Sequence, residues 1–248
     1  MKLAALLETL PEVQTTGKLP DSIQALEYDS RRVAPDSLFI ALRGARVDGH
    51  KFAAQAAQRG AVAVVAEEPL DLPESCALLR VFDSRAAMAD LAAAFYGQPA
   101  RQLKLLGVTG TNGKTSVAFL LRHLLAAAGN RCGMIGTVEY DLGERVVPAS
   151  RTTPESLELQ AYLAAMRDAE CGMAVMEVSS HALQQHRVRG LDFSVGGFTN
   201  LTQDHLDYHG DMEQYFAAKR RLFTDYNSGT ALVNSADPYG QRLADEFA

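Results

Sequence analysis

The chain opens with leucines at helical spacing, Leu3, Leu6, Leu7 and Leu10, broken by Glu8. This pattern predicts a packed helix rather than a signal peptide. Three apolar runs follow that read as strands, Ser37 to Leu42, Ala61 to Ala66 and Ala77 to Phe82, with an Ala-rich helix near 52–58. Together they predict a small α/β unit. A second Ala-rich helix, Arg85 to Tyr96, runs into Gly97-Gln98-Pro99, a turn-forming breaker that sets the expected domain boundary between 1–98 and 99–248. From 103 onward, strands and helices alternate: Leu103 to Thr109, a helix after Lys114, Met173 to Val178, Val195 to Thr199, a helix from Met212, and Thr230 to Val233. The fold class expected is therefore α/β, with a mostly parallel second sheet wrapped by helices and ligands gathered at the carboxyl ends of its strands.

A length of 248 residues fits two domains, and 47% hydrophobic against 22% charged residues is enough for a sizeable core. Lys plus Arg number 24 against 30 Asp plus Glu, a net charge of −6. That leaves no basic footprint for a nucleic acid, so any phosphate binding must be local. Cys76, Cys132 and Cys171 fit neither a disulfide framework nor a CxxC metal site and read as reduced thiols. No apolar run approaches the roughly 20 residues that cross a bilayer, so no membrane association is expected and the cytoplasm is the expected location.

The strongest chemical signal is LLGVTGTNGKTS, residues 105–116, followed by the helical VAFLLRHLLAAAG. A buried strand, a Gly-rich turn and a helix N-terminus gather backbone N–H groups and the helix dipole around an anion, with Lys114 as a point charge and the Thr115 hydroxyl poised for Mg²⁺. The run reads GxxGKT rather than GxxxxGKT, because Val108 stands six before Lys114. The bland alternative is an ordinary strand-to-helix turn, which seldom carries Lys-Thr at the helix start.

Glu177 ends the apolar run MAVMEV, either beside a metal–phosphate complex or as a satisfied strand-end carboxylate. His205 and His209 lie four apart, yet Leu206 replaces the glutamate that a zinc-peptidase helix places after its first histidine. Asp204, His205 and Asp207 suit Mg²⁺ coordination or structural hydrogen bonding equally well. The helix opening at Asp211 has Gln214 in the capping-box position, and its stripe of Met212, Tyr215, Phe216, Leu222 and Phe223 carries Lys219. That lysine either snorkels or sits in a protected site for a special charge role. Thr152 and Thr153 precede an amphipathic helix and can cap it or bind an anion. Gln185, His186 and Arg187 offer anion-binding groups or form a solvated turn.

Taken together, GVTGTNGKTS, SRTTPES, MEVSSHALQQHRV, FTNLTQDHLDYHGDMEQYFAAKRRLF and YDSRRVAPDSLFIALRG closely resemble the Mur ligase family of peptidoglycan synthesis, in particular its UDP-N-acetylmuramoyl-tripeptide synthetases. The resemblance implies a UDP-sugar-binding N-terminal domain followed by a P-loop-type ATPase domain. It also implies an ATP-dependent amide ligase that joins a diamino acid, with meso-diaminopimelate favoured over L-lysine, to UDP-MurNAc-L-Ala-D-Glu through an acyl phosphate. By motif, Gly110, Thr111, Asn112, Gly113, Lys114, Thr115 and Ser116 would hold ATP. Thr115 and Glu177 would ligate a first Mg²⁺, while His205 and Lys219, the latter carbamylated by CO₂, would serve a second. Thr152, Thr153, Ser179, Gln185 and Arg187 would grip the UDP-sugar peptide, and Ser30 with the Ala45, Arg46 and Val47 backbone would bind uridine.

Two departures stand out. Ala236 occupies a position where the family usually has an aspartate, and the chain stops inside the expected central ATPase domain, so that the family's adenine-contacting segment and amino-acid-selecting domain are missing and this N-terminal portion alone is expected to be inactive. A monomer is expected. Two other readings are a P-loop nucleotide switch, which leaves the DSRR, TTPES and VSSH segments unexplained, and a substrate-binding fragment without turnover.

Overall fold

A computed structural model describes residues 1–44 and 47–247. Two compact units divide the chain, Met1–Phe95 and Tyr96–Ala248.

The first unit contains α1 (Leu3–Leu7), β1 (Gln14–Thr16), β2 (Ala25–Glu27), β3 (Ser37–Ile40), α2 (Ala53–Gln58), β4 (Ala61–Ala66), β5 (Ala77–Arg80) and α3 (Ser84–Phe95). Its sheet runs β1-β5-β4-β3-β2, parallel except for β1. Strands β3 and β4 are apolar because both faces are covered, with Leu38, Phe39, Ile40, Val64 and Val65 fully buried. A 3₁₀ turn, Gly49–Phe52, precedes α2. Its buried His50 accepts the Glu67 N–H on Nε2 at 3.0 Å, which assigns the ring proton to Nδ1, 2.6 Å from Asp48. This ring pins the C-terminal end of the loop after β3.

The second unit contains β6 (Lys104–Thr109), α4 (Lys114–Ala127), β7 (Cys132–Ile135), β8 (Glu139–Asp141), β9 (Val146–Pro148), α5 (Ser156–Asp168), β10 (Met173–Glu177), α6 (Ser180–Gln184), β11 (Phe193–Phe198), α7 (Leu206–His209), α8 (Met212–Thr224), β12 (Asn227–Val233) and α9 (Pro238–Glu246). The strand order is β12-β11-β6-β10-β7-β8-β9, with the first five parallel and the last two antiparallel. Side chains along β10 alternate between two cores. Ala174 and Met176 join Leu163, Met166, Phe193 and Phe216 on one face, while Val175 joins Ala118 and Met134 under α4 on the other. Burial on both faces is why the strand reads as an unbroken apolar run. The central strand β6 lies between β11 and β10, so the loop leaving its carboxyl end is flanked by the ends of both.

Candidate active site

The loop after β6 turns through Gly110 and Gly113, both at positive φ. A Cβ at Gly110 would sit 1.9 Å from the Thr199 hydroxyl, so only glycine fits. Helix α4 then begins at Lys114 with Gly113 as N-cap and no side-chain cap. Its first-turn N–H groups therefore face outward with the positive end of the helix dipole, an arrangement suited to an anion.

Both lysines singled out in the sequence converge on this loop. Lys114 Nζ donates to the carbonyls of Gly110 at 3.0 Å and Thr111 at 2.8 Å. Lys219 Nζ donates to the same Gly110 carbonyl at 2.7 Å and lies 4.5 Å from the Tyr215 ring centroid. Lys219 is 1% exposed. It does not snorkel: the whole side chain is buried, its terminal nitrogen included. Burial, reinforced by the nearby Lys114 charge and opposed by Asp204, pushes its amine well below the ordinary lysine range. Burial lowers Lys114 as well, against the attraction of Glu177 and Asp204.

Glu177, fully buried at the end of β10, lies next to the start of α4. Its carboxylate accepts the Thr115 hydroxyl at 2.9 Å, the Thr137 N–H at 2.8 Å and the Thr137 hydroxyl at 3.1 Å. These partners are all neutral, and the pairing of carboxylate and threonine hydroxyl suits a hard cation. Among the described residues no group of three or more His, Cys, Asp or Glu side chains gathers to hold a metal. One carboxylate beside one threonine hydroxyl fits Mg²⁺, which takes one or two carboxylates and fills its other positions with water and substrate phosphates.

The Thr153 hydroxyl neither caps α5, whose N-cap is Glu155, nor faces outward. It donates to the Glu177 carbonyl at 2.8 Å and accepts the Ser179 N–H at 3.1 Å, tying the TTP segment to the end of β10. The Thr152 hydroxyl donates to the Thr137 hydroxyl at 3.1 Å, since the Thr137 proton goes to Glu177. Arg187 is not on a solvated turn: it donates to the Thr153 carbonyl at 2.9 Å and to Gln185 at 2.8 Å, and pairs with Glu155 at 3.0 Å. Gln185 in turn donates to the Tyr208 hydroxyl at 3.0 Å. Thr152, Thr153, Ser179, Gln185 and Arg187 thus form one connected polar cluster beside Glu177.

His205 shares the Tyr215 ring with Lys219. It is exposed, has a left-handed backbone at the N-cap of α7, and packs edge-on against His181 at 5.0 Å and Tyr215 at 6.2 Å. His209 is buried instead, stacked on Tyr215 at 4.9 Å with Nε2 2.9 Å from the Ser180 hydroxyl. In the first unit, Ser30 donates to Gln55 at 3.1 Å and Val47 is exposed. Ala45 and Arg46 lie outside the described residues. Asp237 caps α9 and also accepts the Leu201 N–H at 3.1 Å, with Ala236 exposed beside it.

Sequence reasoning missed the partners of the loop itself. Thr199, Asn200 and Thr202, just after β11, bond to Thr111 and Asn112. The available signal was a polar run directly following a buried strand.

The chain is similar to known proteins over nearly its whole length. The Mur ligase middle domain model matches residues 108–248, and the Mur ligase family, catalytic domain model matches 22–96. Proteins named UDP-N-acetylmuramoyl-L-alanyl-D-glutamate--2,6-diaminopimelate ligase are 46% identical in Geobacter metallireducens, over 99% of this chain and 50% of the relative, and 51% identical in Geobacillus thermodenitrificans, over 97% and 50%. A solved structure of a ligase of the same name superposes with a TM-score of 0.82 at 30% identity, covering 98% of this chain and 49% of the other. MurF from Acinetobacter baumannii, at 24% identity, has the same fold with a TM-score of 0.69, over 98% of this chain and 51% of the other. The chain spans about half the length of the curated relatives it matches. With its middle-domain match reaching from the glycine-rich loop after β6 to the last residue, the chain belongs to the Mur ligase family.

Proposed function

We propose that this chain carries the substrate- and nucleotide-binding part of an ATP-dependent amide ligase of peptidoglycan synthesis, one that adds meso-diaminopimelate to UDP-MurNAc-L-Ala-D-Glu. The observation that carries the reading is the convergence of Lys114, Lys219, Thr115 and Glu177 around a single glycine-rich loop. In this reading residues 1–98 bind the UDP end through Ser30 and the Ala45–Val47 backbone, and residues 99–248 bind ATP and the peptide. Gly110 to Ser116 surround the phosphates and Lys114 neutralises their charge. Thr115 and Glu177 hold one Mg²⁺, which when bound offsets the charge that develops during phosphoryl transfer. His205 and carbamylated Lys219 serve a second. The Thr152, Thr153, Ser179, Gln185 and Arg187 cluster grips the peptide, whose free carboxylate is activated as an acyl phosphate before a diamino-acid amine displaces phosphate.

A depressed amine supports the carbamate: CO₂ adds only to neutral nitrogen, forming an N–C bond and releasing a proton to solvent. No helix of the described residues is long and apolar enough to cross a membrane; we place the protein in the cytoplasm as a monomer. The test is tripeptide formation, followed by mass and by phosphate release, from UDP-MurNAc-L-Ala-D-Glu, ATP, Mg²⁺ and either meso-diaminopimelate or L-lysine, using the chain extended to the length of its relatives. Product with meso-diaminopimelate is expected. ATP hydrolysis that ignores the UDP-sugar peptide would support a nucleotide switch instead.

A further inference from the structure

Besides the lysine contacts to the Gly110 and Thr111 carbonyls, the segment after β11 holds the phosphate loop. The Asn200 carbonyl accepts the Thr111 N–H at 2.8 Å, and its side-chain oxygen accepts the Asn112 N–H at 3.0 Å. The Asn200 amide nitrogen donates back to the Asn112 carbonyl at 3.1 Å, an oxygen that also receives the Thr199 hydroxyl at 2.7 Å. Thr202 adds its N–H to the Thr111 hydroxyl at 3.0 Å and accepts the Asn112 side-chain amide at 3.3 Å. Each polar group of the Asn112 backbone is thus matched by a group of the opposite kind from one asparagine. Only an amide side chain supplies donor and acceptor on the same rigid plane.

We propose that Asn200 is a positioning residue for the nucleotide site: it fixes the Thr111–Asn112 peptide units so that the loop enters α4 with its first-turn N–H groups aimed at the phosphates. Thr199 plays a smaller part in the same clamp. Because the Thr111 N–H, Asn112 N–H and Asn112 carbonyl are all consumed, anion binding falls to the amides from Gly113 onward. Without the clamp the loop samples other conformations, and the fraction competent to bind falls, raising the apparent Kd by the inverse of that fraction. The proposal rests on the reading of this loop as the nucleotide-phosphate site.

The experiment compares wild type with Asn200→Ala and Thr199→Val in the 248-residue chain. Two quantities are read: amide hydrogen exchange at Thr111 and Asn112, and the Kd for Mg-ATP, with the Kd for UDP-MurNAc-L-Ala-D-Glu as reference. Asn200→Ala is expected to speed exchange at both amides and to raise the Mg-ATP Kd about tenfold or more, with Thr199→Val raising it about threefold, as loss of two and one net hydrogen bonds implies. The UDP-sugar-peptide Kd stays unchanged, which a general loss of structure would not permit. If wild type fails to bind Mg-ATP, the nucleotide reading fails, and exchange at Thr111 and Asn112 decides the clamp. Unchanged exchange in Asn200→Ala overturns the proposal, as does an unchanged Mg-ATP Kd once the amides are freed. Should Asn200→Ala not fold, the near-isosteric Thr199→Val decides by the same two readings.

Discussion

Lys219 gives the sharpest test of the site's chemistry. Its Nζ and that of Lys114 both lie within 3.0 Å of the Gly110 oxygen, so the two nitrogens are separated by less than about 6 Å. Two ammonium ions at that separation repel by about 3 kcal/mol at an effective dielectric constant of ~20. Burial adds to that cost, because Lys219 is 1% exposed. Carbamylation reverses the sign: the group becomes an anion and Lys114 attracts it. The chain incubated with ¹³C-bicarbonate at pH 8 should therefore show one carbamate carbon by ¹³C NMR, bonded to a lysine Nζ and missing in Lys219→Arg. Lys114→Ala should lower its occupancy at least about tenfold at fixed bicarbonate, since the attraction is lost. Signal should grow with pH as the neutral amine fraction rises. Absence of the resonance in wild type, or an equal signal in Lys219→Arg, would show that Lys219 carries no carbamate.

Three further outcomes are expected. Lys114→Ala should keep its fold, checked by circular dichroism, and weaken Mg-ATP binding at least about thirtyfold, as loss of a charge-assisted contact of ~2 kcal/mol implies. Glu177→Gln preserves an acceptor for the Thr137 N–H but removes the anion; its ATP affinity in Mg²⁺ should fall to the value measured in EDTA. His209, held down to about 4 chiefly by burial, sits below its ordinary value of ~6.5, so the unfolded chain binds its proton first on acidification. Stability should therefore be full above about pH 6.5 and drop by about 2 to 3 kcal/mol as pH falls toward about 4, a slope that His209→Asn flattens in urea unfolding.

Most strands that the apolar pattern announces are largely buried, such as β4, β6 and β10, while β12 is announced by its composition although it is exposed. Those it hides have other reasons to pair. Strand β1 is exposed along its whole length and is held by backbone bonding to β5, and β7 is a four-residue run containing glycine, too short to show a pattern, that pairs with β10 and β8. The Lys-Thr start of α4 and the place of Lys219 on an apolar stripe were readable because both follow from local helix geometry. Asp211 also caps α8 as its sequence implies, but Gln214 bonds to the Asp211 side chain rather than closing a reciprocal box onto its backbone. The clamp was not readable. Asn112 and Asn200 are 88 residues apart in sequence, and they meet only because β11 lies beside β6, a strand order that alternating elements do not specify. The roles of Thr153 and Arg187 were hidden for the same reason, since each depends on where β10 ends relative to α5.

In the proposed function, separate groups of side chains hold a UDP-sugar peptide and the phosphates of ATP. Calorimetric titration of the 248-residue chain with UDP-MurNAc-L-Ala-D-Glu and, separately, with Mg-ATP tests it most directly. Both ligands should bind saturably with one site each; Arg187→Ala should lose the first while keeping the second, and Lys114→Ala the reverse. Failure of wild type to bind either ligand, or a Lys114→Ala chain that holds Mg-ATP as tightly as wild type, would contradict the account.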